Sequence, residues 1–244
     1  MNKKAIAIVP SAGLGKRFDA KIRKTFAAVH DVPLLVHTLR RLAAERSITE
    51  IIPVLRKQDI ENGFQFINEY QVEKVTRIAR GGKERQDSIH NALMLLDQNG
   101  SNPDSIVLIH DGVRPFIPEG LIASLISGLK TFDGVIPGIP VKETIKEVAP
   151  DGSVISTVNR ERFRSVQTPQ AFTFSTIKRA YDSAYAQGYY ATDDAALVER
   201  IGGRVKIISG SPYNIKVTTP EDLEMVEWIL TSSNRLNCLN RSSG

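Results

Sequence analysis

The chain has 244 residues, 41% hydrophobic and 24% charged, with 32 Lys and Arg against 27 Asp and Glu for a formal net charge of +5. This profile excludes a disordered or fibrous chain and leaves room for one large or two small domains with a sizeable core. The basic excess is modest and forms no long block, so it favours an anionic partner, small phosphorylated molecules included, without requiring nucleic acid.

The single cysteine, Cys238, excludes an internal disulfide and an all-cysteine metal site, and a reducing cytosol is the natural home for such a chain. "MNKK" followed by "AIAIV" imitates the start of a signal peptide, but the apolar stretch is about half the usual length and Pro10 ends it. No run approaches the ~20 apolar residues of a membrane span. A cytoplasmic protein without a membrane partner is expected.

In chain order, short Val- and Ile-rich runs predict strands at 5–10, 50–55, 74–79, 105–110, 134–141 and 204–209. Apolar residues at three- and four-residue steps predict helices over 33–46, 84–97 and 119–131. Strands separated by helices imply a mostly parallel sheet covered on both faces. Residues 142–159 interrupt the alternation: β-prone runs flank Pro150-Asp151-Gly152, a turn signal, and predict a β-hairpin inserted into the α/β body. Its apolar face must be buried against something, and a second subunit is one candidate. Thr219 as N-cap, Pro220 at the first helical position and Asp222 three residues after the cap start a last helix. The expected organisation is one α/β domain over 1–231, a protruding β-arm at about 140–162 and a flexible tail over 232–244.

"PSAGLGKRF" (10–18) follows the first strand. A Walker A loop would need glycine at position 10 and Ser or Thr at 17, where Pro10 and Arg17 stand, and the dinucleotide fingerprint would need glycine at 18, where Phe18 stands. What remains is Ser11-Ala12-Gly13, small enough for backbone N–H groups to face a ligand, then Gly15, Lys16, Arg17 and Lys24. At a sheet's C-terminal edge such a set makes an oligophosphate site, although three cations over nine residues also describe a solvated face. In "RGGKERQDS" (80–88), Gly81-Gly82 and Ser88 allow close backbone approach to a flat group or simply a capping turn. In "HDGVRP" (110–115), Asp111 beside Gly112 suits a ribose hydroxyl or Mg²⁺, and Arg114 either pairs with that acid or faces phosphate. His110 reads as a packed strand-end histidine, and no zinc site is expected. Lys216 lies just before the last helix, while Arg160 and Thr168 belong to "NRERFRSVQTPQ" (159–170); alone, each suits a surface.

Taken in order, "PSAGLGKR", Lys24, "GGKERQDS", "HDGVRP", "VKETIK", "NRERFRSVQTPQ", "TDDAA" and "NIKVTTPEDL" resemble the 2-C-methyl-D-erythritol 4-phosphate cytidylyltransferases, over about residues 5–230. The resemblance implies a nucleotide-diphospho-sugar transferase-like α/β fold, with a β-arm crossing into a second subunit of a homodimer. It implies transfer of CMP from CTP to a polyol phosphate, with Mg²⁺ and release of pyrophosphate, in the non-mevalonate isoprenoid pathway. By the same resemblance Arg17 and Lys24 stabilise charge on the α-phosphate, and Arg160 and Lys216 position the acceptor, with Thr144 and Arg160 reaching in from the partner's arm. Thr168 and Arg114 join the acceptor side. Ala12, Gly13, Gly82 and Ser88 line the cytosine, Gly15 and Lys16 serve the nucleotide, and Asp111 and Gly112 the ribose and metal side, Asp111 being the one candidate metal ligand. Glu143, Val113 and Tyr213 depart from the family pattern.

Such a reaction needs no general base, because a phosphate monoester already carries about −1.5 to −2 charge near neutral pH. That accounts for the lack of a Ser/His/Asp or Cys/His set. The demand is for cations on both sides of the α-phosphorus. A ribitol 5-phosphate cytidylyltransferase is the nearest alternative, and a sugar-1-phosphate nucleotidyltransferase or a glycosyltransferase of related fold a more distant one. A nucleic-acid-binding module is disfavoured by 7% aromatic content and the lack of a binding motif.

Overall fold

The computed structural model describes residues 4–13 and 24–241, apart from the side chains of Lys24 and residues 233–241. The elements run β1 (Ala5–Pro10), β2 (Ala28–Val29), β3 (Val32–Pro33), α1 (Leu34–Ala43), β4 (Ile48–Leu55), α2 (Ile60–Glu69), β5 (Ala79–Arg80), α3 (Arg85–Gln98), β6 (Ile106–Ile109) and α4 (Leu121–Gly128). The chain continues through β7 (Gly134–Pro140), β8 (Ile145–Val148), β9 (Val154–Val158), β10 (Arg164–Val166), β11 (Gln170–Thr173), α5 (Phe174–Ala186), α6 (Asp194–Arg200), β12 (Val205–Ser209) and α7 (Pro220–Arg241).

In the main sheet β1 runs parallel to β4 on one side and β6 on the other, and β5 extends the sheet beyond β4. Antiparallel β11 joins β6 to β7; β10 occupies the same edge of β7 further along, and β12 pairs in parallel with the opposite edge. Side chains alternate along a strand. Ala5, Ala7 and Val9 therefore pack with Leu39 and Leu125 of α1 and α4, while Ile8 packs with Leu93 and Tyr181 of α3 and α5. Burial on both faces is why the first strand reads as an unbroken apolar run.

The parallel α/β reading stands, and most expected elements form within a few residues of their predicted bounds. The strand expected at 74–79 does not. Only Ala79–Arg80 pairs with β4, plus one isolated bridge from Val75 to Ile51. Lys74 has a positive φ of 65°, and Thr76 and Arg77 turn to the Glu50 carboxylate, so side chains rather than a backbone ladder hold this stretch beside β4. Periodicity did not announce α5, whose buried face is Phe174, Ile177, Ala180, Tyr181 and Ala184. The spacing is helical, but alanines and a tyrosine carry it.

The hairpin forms as expected: β8 and β9 pair antiparallel in a sheet of their own, closed by a turn in which Gly152 has a φ of 86°. Val148, Val154 and Ile155 on this arm are more than half exposed, at 56%, 59% and 61%. At the last helix the Asp222 carboxylate accepts N–H bonds from Thr218 and Thr219, as the cap signal required. Where a loose tail was expected from 232, the helix continues to Arg241, and no Gly or Pro falls between Pro220 and Gly244 to stop it.

Candidate active site

Strands β1, β4 and β6 end at one edge of the sheet, and the loops that leave them border an open cleft of about 660 Å³. Parallel sheets receive ligands at this carboxyl edge. In the first loop, the Ser11 N–H donates to the Val54 carbonyl (2.9 Å) and Arg56 Nε to the Ala12 carbonyl (2.9 Å). The loop is thus tied to the end of β4, and Gly13 borders the cleft with no atom of the described residues within 4 Å of where a Cβ would stand.

The second loop shows why it carries two glycines. A Cβ on Gly81 would come 2.3 Å from the Ala12 Cβ, and one on Gly82 would come 2.2 Å from the Asp87 Cβ and 3.0 Å from its backbone carbon. Ser88 shapes the same turn: its hydroxyl donates to the Glu84 carbonyl (3.0 Å) and accepts the Gly82 N–H (3.1 Å). A capping box between Glu84 and Asp87 then starts α3. The glycines serve close packing, and the capping turn and the cleft wall are one structure.

Asp111, just beyond β6, is the charge centre. Its Oδ2 lies 3.0 Å from Lys216 Nζ and 3.2 Å from Arg114 Nε, and its Oδ1 lies 3.6 Å from Arg85 Nε. Burial pushes the pKa of this carboxyl up, but Arg85, Lys216 and Arg114 together outweigh that and hold it well below the usual carboxylate range. It is ionised at neutral pH. Lys216 is carried there by a well-fastened segment: Val217 N–H donates to the Val113 carbonyl (3.0 Å), and Arg114 Nη1 to the Asn214 carbonyl (2.7 Å). Gln167 Nε2 holds the Ser211 carbonyl (2.7 Å), and Asn214 Nδ2 donates to the Thr168 carbonyl (2.8 Å).

Behind Asp111 stands His110, wholly buried and pushed down to about 4 by that burial, hence neutral. Its Nε2 is 2.9 Å from the Arg114 carbonyl, which only accepts, so Nε2 carries the proton and Nδ1 accepts from the Thr168 hydroxyl (3.1 Å). The Asp111 N–H in turn donates to Thr168 Oγ1 (3.0 Å).

Several predicted residues therefore meet at the cleft: Ala12, Gly13, Gly82, Ser88, Asp111 and Lys216 border it. Gly112 packs beside it, since a Cβ there would come 2.0 Å from Ser11 Oγ. Thr168 and Arg114 do not border the cleft; both are buried, Thr168 bonded to His110 and Asp111, and Arg114 taking the acid-pairing role of its two. Arg160 and Thr144 lie apart on the exposed arm, where the Arg160 guanidinium donates to the Lys142 carbonyl. Gly15, Lys16, Arg17 and the Lys24 side chain are outside the described residues. Sequence reasoning passed over Arg85 and Arg56, which border the cleft, and Asp194, which grips Arg85; the "GGKER" and "TDDAA" motifs contained the signal.

Among the described residues no three His, Cys, Asp or Glu side chains form a metal cluster. The cleft nonetheless fits a cation held mainly by a ligand's phosphates, because Asp111 is ionised and, among the described residues, its Oδ1 is approached no closer than the 3.6 Å of Arg85.

Together, the mostly parallel sheet, the close-packed glycine turns and the cationic cleft over the strands' carboxyl ends define an α/β enzyme class that handles phosphorylated ligands. Comparison narrows this. The family model of 2-C-methyl-D-erythritol 4-phosphate cytidylyltransferase matches residues 5–232. Curated proteins of that name from Clostridioides difficile strain 630 and Bacillus cereus ATCC 14579 are 42% and 41% identical, over 93% and 91% of this chain and 94% and 96% of theirs. The crystal structure of 4-diphosphocytidyl-2C-methyl-D-erythritol synthase from Anaerococcus prevotii superposes with a TM-score of 0.80 at 32% identity, over 94% of this chain and 97% of that one. The chain belongs to the 2-C-methyl-D-erythritol 4-phosphate cytidylyltransferase family and is a nucleotidyltransferase. Among the described residues no helix is long and apolar enough to cross a membrane.

Proposed function

We propose that this enzyme transfers CMP from CTP to 2-C-methyl-D-erythritol 4-phosphate, releasing pyrophosphate, and that it works as a cytoplasmic homodimer with Mg²⁺. The observation that carries the reading is the Asp111–Lys216 pair (3.0 Å) at the mouth of a glycine-walled cleft. It puts a cation beside the place where two polyanions must meet. The family matches favour the methylerythritol acceptor over ribitol phosphate and the more distant sugar-1-phosphate alternative.

In this reading the cytosine lies along Ala12–Gly13 and Gly82, where backbone groups rather than side chains form the wall. The acceptor phosphate oxygen attacks the α-phosphorus of CTP, a new P–O bond forms, and the α–β bridge breaks in line to free pyrophosphate. No proton needs to leave the nucleophile. Lys216 holds the acceptor phosphate against its like-charged partner, with Arg160 and Thr144 delivered across the dimer by the arm. Arg17 and Lys24 serve the α-phosphate, and Lys16 and Gly15 the phosphates beyond. Mg²⁺, when bound, would neutralise triphosphate charge, and Asp111 Oδ1 would be the protein oxygen that helps to hold it. His110 and Thr168 act at one remove, fixing the backbone from which Asp111 projects.

The test is product identification by mass spectrometry after incubation with CTP, Mg²⁺ and either methylerythritol phosphate or ribitol 5-phosphate. The expected product is 4-diphosphocytidyl-2-C-methyl-D-erythritol with stoichiometric pyrophosphate. Preferential consumption of ribitol phosphate would overturn the acceptor assignment.

A further inference from the structure

The guanidinium of Arg85 sits between two carboxylates and is shared unequally. Both terminal nitrogens go to Asp194, Nη1 to Oδ1 at 3.1 Å and Nη2 to Oδ2 at 2.6 Å, while only Nε turns toward Asp111, at 3.6 Å. Asp194 is 1% exposed, at the first position of α6, and its Oδ1 also accepts the hydroxyl of the wholly buried Tyr181 at 2.6 Å. Neither Asp194 nor Tyr181 borders the cleft, so whatever they do for a ligand passes through Arg85.

The arrangement has a consequence at Asp111. Lys216 and Arg114 already occupy its Oδ2 at 3.0 and 3.2 Å, and among the described residues Oδ1 is the less engaged oxygen, with Arg85 bound elsewhere. A two-pronged pair with a buried carboxylate is the strongest hold a guanidinium finds in a protein. Were Asp194 neutral, Asp111 would become the nearest anion and would draw Arg85 onto Oδ1. We propose that Asp194, supported by Tyr181, is a positioning residue that keeps Arg85 off Asp111, so that the Asp111 carboxylate stays available to a metal–nucleotide complex. This rests on the function proposed above and adds a specific device to it.

The experiment uses the full chain and a non-hydrolysable CTP analogue, with calorimetric binding measured with and without Mg²⁺. Asp194→Asn keeps the shape and removes the charge. It is expected to weaken Mg²⁺-dependent binding by about tenfold or more, in the range of outer-shell partners, while metal-free binding changes much less. The Mg²⁺ concentration for half-maximal turnover should rise in parallel. In an Arg85→Gln background the same substitution should add little. Equal losses with and without Mg²⁺, or an undiminished effect in the Arg85→Gln background, would overturn the proposal, since a merely structural role predicts both. If Asp194→Asn does not fold, Tyr181→Phe removes one hydrogen bond and no charge; it should shift the metal dependence the same way to a smaller extent, and an unchanged metal dependence would overturn the idea. A wild type that binds the analogue with Mg²⁺ yet makes no product from methylerythritol phosphate would overturn the assigned reaction alone.

Discussion

Asp111 keeps its charge because three cations surround it, of which Arg85 is also held by Asp194 and Arg114 by the Asn214 carbonyl. Lys216 is the most exposed of the three, bordering the cleft with 39% of its side chain exposed. Lys216→Ala should therefore lower kcat/KM for the acceptor phosphate by about 10²-fold, as loss of a charge aligned with a developing anion does. The melting temperature should move little, because Arg114 and Arg85 still compensate Asp111; steady-state kinetics alongside thermal denaturation checks both halves. His110 gives a second prediction. Its value falls from 6.5 in the unfolded chain to about 4 when buried, so the unfolded state takes up a proton that the folded state refuses. Stability is full above pH 6.5 and is lost as pH falls toward 4, by on the order of 3 kcal/mol. Burial lowers His37 and His90 too, so their protonation opposes folding in the same direction as pH falls. Denaturant titrations at pH 7 and 4.5 should show the drop, and His110→Gln should flatten it.

Among the elements, the two loops at the cleft make different demands on their glycines. Gly82→Ala drives a Cβ into the Asp87 backbone at the start of α3, where nothing flexible can yield. It should lower the melting temperature and raise the KM for CTP about tenfold or more, since a displaced wall costs positioning. Among the described residues Gly13→Ala meets nothing within 4 Å, and no positive φ is required there. That variant should melt like the wild type and lose only nucleotide affinity, so the pair separates folding from binding in one comparison of melting curves and CTP kinetics.

For the molecule as a whole, the arm is the anomaly. Among the described residues its two strands pair only with each other, and Val148, Val154 and Ile155 stand exposed on them. Exposed apolar groups clustered on a protruding hairpin mark a contact surface. If the arm meets a second copy, Ile155→Asp should shift the protein toward monomer in sedimentation velocity and reduce turnover, with the melting of the α/β body unchanged. An intact dimer in that variant would place the interface elsewhere.

The reach of the sequence follows from what is local. Periodicity and caps are short-range, so the strand at 5–10, the helix over 84–97, the Pro150-Asp151-Gly152 hairpin and the Thr219–Asp222 cap could be read directly, and the ordered motifs carried the family. The stretch at 74–79 misled because its partners, Glu50 and Glu45, lie on other segments. Only the tertiary structure decided how the charges are spent: Arg85 on Asp194, 109 positions away, Arg114 on Asp111, and Thr168 on His110 rather than on the cleft. Those pairings depend on where strands end in space, and a one-dimensional pattern holds the charges without saying which of them will touch.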